Sequence, residues 1–319
     1  MTPFLASFQA TFLAVAQIGL MIIASGWLVR RDIIDKRSIK AISNAVIYLF
    51  LPCLIFSNIT IKLDTESLPD WWLFPLSACA IAVVGWTLAA GLSKFRKEVS
   101  PTVIPLSFLQ NAGYLILPLG QAILKEDFGR FALICFLFIL AHNALLWGIG
   151  KLYLSREDSQ PLNWKSIISP PLIANLSALA LSLTGLRDYI PSFFIDTASF
   201  IGEGAIPLGT FVLGASLGSL SFNLKPYLKD CIQVNIQKLI FMPLLMLLAM
   251  EFIPWLTSDP IIALLFILQA ASAPATGLML QAQSFGRNAE RVSAVLFTSY
   301  LLCGVTIPLW TALAIARHG

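Results

Sequence analysis

Two stretches of this chain set polar side chains and helix-breaking residues in the middle of apolar runs. The first reads PLSFLQNAGYLILPLGQAI and holds Gln110, Asn111, Tyr114 and Pro118; the second reads LFILQAASAPATGLMLQAQ and holds Gln269, Ser272, Pro274 and Thr276. A proline inside a helix removes a hydrogen bond, and its ring crowds the carbonyl four residues back. Pro118 thus predicts a freed carbonyl at Tyr114, in a turn already loosened by Gly113, and Pro274 predicts one at Ala270. Unpaired backbone groups in hydrocarbon cost several kcal/mol each, so such breaks persist only where water, a ligand or a neighbouring helix meets them. Opposed half-helix N-termini offer free amide donors and partial positive charge, which suits a carboxylate or another small anion without a formal cation. Gln110, Asn111 and Tyr114 on one side and Gln269, Ser272 and Thr276 on the other would add side-chain hydrogen bonds.

Other residues carry weaker signals. Glu203, in GEGAIPLG, is the one acid well inside an apolar stretch and a candidate for binding a coupling proton. Its place about 6 Å outward of Pro207, at 1.5 Å per residue, also lets it reach interfacial water. His142, beside Asn143, suggests a proton relay, against which stands the commoner role of a packed, hydrogen-bonding histidine. Lys238 lies about two turns inside its stretch, where its long stem is expected to snorkel to the interface. Gly214, Ser216 and Gly218 match G-x-S-x-G in form, but a nucleophile elbow needs a strand-to-helix turn with His and Asp partners. A small-residue face for helix packing or dimer contact through Gly214 and Gly218 is expected instead. The five cysteines (Cys53, Cys79, Cys135, Cys231 and Cys303) all lie in apolar stretches without metal-binding spacing and read as small buried hydrophobes.

The elements that must position these groups are membrane helices. Only 12% of the 319 residues are charged and 57% are hydrophobic, against about a quarter charged in soluble domains. Disorder, nucleic-acid readout and a secreted disulfide scaffold are excluded together. Apolar stretches of bilayer-spanning length fall at about 6–29, 39–60, 71–92, 102–124, 129–153, 167–186, 194–220, 231–253, 260–283 and 291–316. Of the 21 Lys and Arg, fifteen lie in alternate connections on one side, five on the other, and Lys238 is within a stretch. The positive-inside rule then puts the fifteen in the cytoplasm and both termini outside.

A connection at 155–166 divides the chain into 1–154 and 167–319, each with five spans and therefore opposite orientations. Leu109-Gln110 and Pro101 recur as Leu268-Gln269 and Pro260 at one constant offset, and Pro52 has a rough counterpart in Pro207. The fold expected is all-α and polytopic: ten transmembrane helices in two inverted five-helix repeats, with helices 4 and 9 broken where they cross. This is the architecture of the NhaA antiporter and the bile-acid symporters, in which broken helices of the two repeats form the site near the midplane.

The sequence resembles the auxin efflux carrier family, the group of plant PIN-type carriers and bacterial organic-acid carriers. FLPCLIF, LQNAGYLILPLG, IPLGTFVLGASLG, LQAASAPATGLMLQAQSFG and TSYLLCGVTIPLW carry the resemblance in order along the chain. It implies a scaffold of spans 1, 2, 6 and 7, a moving transport unit of spans 3 to 5 and 8 to 10, and a homodimer built on the scaffold. The family's asparagine before the fourth-span proline carries over to Asn111 with Pro118, its glutamine-rich stretch before the ninth-span proline to Gln269 with Pro274, and a polar fifth-span position to Asn143. This sequence lacks the long cytoplasmic loop of the plant carriers and their second ninth-span proline, where Leu278, Met279 and Leu280 stand.

The function expected is a secondary carrier of small organic anions working by elevator-like or rocking displacement, with a proton- or sodium-coupled organic acid symporter as the alternative. No enzyme activity, metal or cofactor is expected beyond a coupling H+ or Na+. The partners expected are the anion, the bilayer and a second copy of the chain, with no nucleic acid, in a bacterial plasma membrane. Indole acids and dicarboxylates such as malate or malonate both remain open.

Overall fold

The computed structural model describes residues 3–96, 99–155, 168–219, 224–284 and 289–318. All regular structure among them is helical, apart from one isolated β-bridge. Seven helical stretches are long and apolar enough to cross a membrane, and Pro170–Thr184 and Pro260–Ala271 are shorter apolar helices. The chain is a polytopic, all-α membrane protein. The connection expected at 155–166 lies, apart from Ser155, outside the described residues.

Helix α1 spans Pro3–Arg30. α2 (Lys36–Ala45) and α3 (Leu51–Lys62) are joined through a π-turn at Val46–Phe50, and α4 is Leu73–Ser93. Asp35 caps α2 by accepting from the Ser38 N–H at 2.7 Å, and hydrogen bonds from the Ser38 side chain and then its N–H hold the carboxyl below the usual range. The π-turn ends two residues before Pro52, and a second one, Gln237–Phe241, ends two residues before Pro243. A widened turn absorbs the hydrogen bond that each proline cannot make, so both helices run on.

The fourth apolar stretch is not one helix. It is α5 (Val103–Phe108) and α6 (Ile116–Leu124), joined by non-helical residues 109–115. The apolar run from Ile116 to Leu154 is 39 residues long, which as a single helix would extend about 58 Å, twice the hydrocarbon thickness. Lys125, with φ +48°, and a 3₁₀ turn at Lys125–Asp127 break it. The chain then returns as α7 (Phe128–Leu145), a π-turn at Leu146–Gly150 and α8 (Lys151–Ser155). Gly120 lets α6 and α7 meet closely, since a Cβ there would stand 2.1 Å from the Phe131 ring.

The second half holds α9 (Pro170–Thr184), α10 (Ser192–Gly202) and α11 (Ala205–Gly218). Beyond them α12 (Leu228–Ile236) continues through the second π-turn into α13 (Met242–Phe252), followed by α14 (Pro260–Ala271), α15 (Gly277–Ser284) and α16 (Ala289–His318). Glu203 stands exposed in the turn between α10 and α11, inside the candidate span Ser192–Gly218. Gly214 and Gly218 face α1: a Cβ on Gly214 would meet the Ser25 hydroxyl at 2.1 Å, and one on Gly218 the Gly26 backbone at 2.5 Å. The small-residue face is therefore filled by this chain's own first helix.

Polar contacts fasten the helices where apolar packing is not directional. The Asp230 carboxylate accepts from Arg96 at 2.8 Å and pairs with Arg291 at 3.1 Å, tying the ends of α4, α12 and α16 together. At other helix ends Arg130 pairs with Asp259 at 2.6 Å, and Arg317 with Glu251. Arginines that a charge count treats only as topology signals thus also clamp helix ends. Within the span region the Gln237 amide donates to the Gly85 carbonyl at 2.6 Å, and Asn175 to the Phe136 carbonyl at 2.7 Å. Lys238 does not snorkel: at 1% exposure it is enclosed by the helices around its π-turn.

Candidate anion-binding site

The two breaks meet. Non-helical residues 109–115 and 272–276 cross antiparallel, with Gln110 opposite Pro274. The Asn111 N–H donates to the Ala273 carbonyl at 2.8 Å and the Ala275 N–H to the Leu109 carbonyl at 2.9 Å. Pro274 thus occupies the member of the pair that makes no ladder bonds, where the missing N–H costs nothing. What the sequence suggests as exposed backbone in hydrocarbon is, for these groups, backbone satisfied by the opposite break.

Pro118 does not make the first break. It lies in the first turn of α6, where its fixed φ suits the helix, and the Leu117 and Leu119 N–H groups on either side donate to the Gly113 and Leu115 carbonyls. The chain leaves helical conformation nine residues before Pro118, with Leu109 extended at φ −89° and ψ 110°. Pro274, by contrast, sits within the second break itself.

Beyond the crossing, donors are left over. Among the described residues no backbone carbonyl takes the N–H of Gly113, Tyr114, Leu115 or Ile116 at the start of α6, nor of Thr276 or Gly277 at the start of α15. Gly113, Tyr114, Thr276 and Gly277 line a cavity of about 610 Å³. Its walls also come from α2, α3, α7, α9 and α11, and the exposed Lys40 stands on it. The cavity therefore presents two helix N-termini, each with its partial positive charge and open amides, to one space.

The side chains divide. Gln110, Asn111, Tyr114, Pro118, His142, Asn143 and Thr276 line the cavity, whereas Gln269, Ser272, Pro274 and Glu203 do not. Asn111 is buried, and its amide donates to the Tyr300 hydroxyl on α16. Gln110 is 1% exposed, and neither atom of its amide has a partner among the described residues. Gln269 points the other way: its amide donates to the Ala112 carbonyl at 3.2 Å, which Cys135 also approaches at 3.4 Å. The Ser272 hydroxyl donates to the Asn111 carbonyl at 3.3 Å. Gln269 and Ser272 therefore brace the first break from behind.

Several contributors have no local sequence signal. Tyr300 holds Asn111 from 189 positions away. Asn44 lines the cavity while Asn58 does not, a difference set by the helical phase of α2 and α3 and by the π-turn between them. Gln281 on α15 donates to the Leu146 carbonyl at 3.0 Å, in the π-turn beside the cavity.

Comparison with known proteins finds relatives along most of the chain. Residues 10–160 and 154–311 match the family described as membrane transport protein. Protein PIN-LIKES 1 of Arabidopsis thaliana is 25% identical over 372 residues, covering 95% of this chain and 78% of that protein. Protein PIN-LIKES 3 of the same plant is 23% identical, covering 85% and 87%. An uncharacterized transporter of Methanothermobacter thermautotrophicus is 22% identical, covering 92% of this chain and 95% of its own length. Matched along nearly its whole length, and built around two broken helices that open on one cavity, the chain belongs to the auxin efflux carrier family of membrane transporters.

Proposed function

We propose that this protein is a secondary carrier of small organic anions. A single observation carries the reading: the N-termini of α6 and α15, with backbone amides left over, face one cavity together with Asn111, Tyr114, Asn143 and Thr276. Backbone donors and helix dipoles stabilise a carboxylate without placing a formal cation in the membrane. An apolar body attached to that carboxylate would lie against Ile139, Leu280 and Leu296 in the same cavity.

In this reading the chain crosses the membrane ten times, as two inverted five-helix repeats divided at 155–166, with both termini outside. Lys40, Ser169 and Ser219 border the cavity at helix ends that the charge count assigns to the cytoplasm, which makes the conformation inward-facing. The unit holding the crossing moves past α1, α3, α9 and α11 to expose the site outward, and a second copy binds on that scaffold. Where helices cross near the midplane, displacement of one unit past the other is the economical route to alternating access. A plasma membrane is the proposed location.

The test is uptake and charge movement in proteoliposomes of the purified protein, with a panel of benzoate, indole-3-acetate, malate and malonate. A saturable signal for at least one acid, lost in Asn111→Ala while the variant remains folded, is expected. Wild-type uptake by Asn111→Ala would refute the site, and silence across the panel in both current and tracer measurements would remove the carrier reading.

A further inference from the structure

One position in the stripe that α11 turns to the cavity is covered. From this helix Ala205, Ile206, Val212, Leu213 and Ser216 line the cavity, at the three- and four-residue spacing of a single helix face. That spacing brings Gly209 to the same side, yet Gly209 is buried and does not line the cavity. Its place is taken by Tyr114 from the first break: a Cβ on Gly209 would stand 2.9 Å from Cδ1 and 3.1 Å from Cε1 of that ring. Tyr114 itself is half-buried and lines the cavity. The ring therefore lies between the bare Cα of Gly209 and the cavity, with one edge on the glycine.

The same tyrosine borders the open amides. Its own N–H is among the donors left over at the start of α6. Side chain and N–H spring from one Cα, so a carboxylate held by these amides has the ring beside it. Carbon atoms in contact stand about 3.5–4.0 Å apart, so a methyl group at position 209 must drive either the helix back or the ring forward. The helix has no room to retreat. Gly214 and Gly218, about 1.4 and 2.5 turns further on, lie on roughly the opposite face of α11, where they press on α1 without space for a Cβ. The ring is the part that can give, and it gives into the cavity.

We propose that Gly209 sets the width of acid that the site admits, acting through the ring of Tyr114. Its bare Cα lets the ring stand back from the open amides of α6, which leaves space for a broad body next to the bound carboxylate. Resting on the carrier reading, this role adds a positioning residue that neither lines the cavity nor touches the anion. In an apolar pocket one methylene changes discrimination by about 10- to 200-fold. A methyl group placed behind the ring reaches the anion only through the ring's displacement, so several-fold discrimination against broad acids is expected. Narrow acids of the same charge keep their affinity, because the amides and the polar side chains that hold the carboxylate are unchanged.

Equilibrium binding to the purified full-length protein tests this with two pairs of acids matched in charge, hexanoate with benzoate and malonate with phenylmalonate. The first of each pair is narrow beside its carboxylate and the second is broad. Wild type, Gly209→Ala, Tyr114→Ala and the double variant are compared. Gly209→Ala is expected to weaken the broad member of a pair at least several-fold more than the narrow one. In the Tyr114→Ala background the same change is expected to leave that ratio where it stands, because the ring it acts through is gone. Equal weakening of both members by Gly209→Ala, or the same shift in ratio with and without the ring, overturns the proposal. Should Gly209→Ala not fold, recovery of folding in the double variant supports the contact with the ring, and continued failure overturns it. Binding with an unaltered ratio fells the width selection alone, whereas no binding of any of the four acids to the wild type fells the carrier reading and the selection with it.

Discussion

The two breaks in the helices resemble one another in sequence and differ in what they hold. The first, residues 109–115, turns Gln110, Asn111 and Tyr114 toward the cavity. The second, residues 272–276, is shorter and made mostly of small residues, and sends only Ala275 and Thr276 there. Behind it, Gln269 and Ser272 are spent on the Ala112 and Asn111 carbonyls of the first break. Leu109-Gln110 and Leu268-Gln269 are equivalent by their repeat spacing, yet one glutamine is unpartnered at the cavity and the other is a brace. The crossing explains this. Two antiparallel segments cannot both present the same face to one side, so a duplicated motif yields one reader and one support.

The largest effect should come from the reader. Asn111→Ala is expected to weaken binding of the transported anion about ten- to a hundred-fold, the range for losing a hydrogen bond to a charged group. Equilibrium binding measured beside the melting temperature would show whether affinity alone is lost. Next, Ala275→Pro moves the imino residue from the position that makes no ladder bond to one that does. It strands the buried Leu109 carbonyl and should cost about 1–3 kcal/mol of stability; a melting temperature equal to wild type would mean that the crossing is not held by this bridge.

A third comparison sets the two glutamines against each other. Gln269→Leu should lower stability by about 1 kcal/mol, because it takes a donor from the Ala112 carbonyl. Gln110→Leu removes an unpartnered buried amide, so its melting temperature should stay the same or rise while anion affinity falls. If both variants shift stability alike, the division into reader and support is wrong. The smallest effect is expected for Ser272→Ala, at about 0.5–1 kcal/mol for one neutral hydrogen bond, with uptake close to wild type.

The place of Lys238 shows where local reasoning stops. Counting 1.5 Å per residue from the end of its stretch puts the ammonium within reach of the interface, as long as the stem is free to extend. Packing of α4, α5, α14 and α16 around the π-turn removes that freedom. Glu203 keeps its place in an apolar span, Ser192–Gly218, but the turn between α10 and α11 sets it on the outer surface, away from the cavity. Pro118 was legible as a helix signal but not as which kind, because proline both ends helices and begins them. Only the extended backbone from Leu109 onward distinguishes the two.

By itself the sequence determined the solvent, the secondary structure and the family. Composition requires a bilayer, because so many apolar side chains and so few charges leave no other way to satisfy the hydrophobic effect. Backbone hydrogen bonding then requires helices, and polar residues with proline in two apolar stretches mark where those helices are interrupted. Tertiary structure alone decided which polar groups face the cavity and which brace it, because that depends on the register in which residue 110 meets residue 274. It also decided that Tyr300 holds Asn111 and that Lys238 is enclosed among helices. Those contacts join residues far apart in the chain, and only the packing of α7, α13, α14 and α16 brings them together.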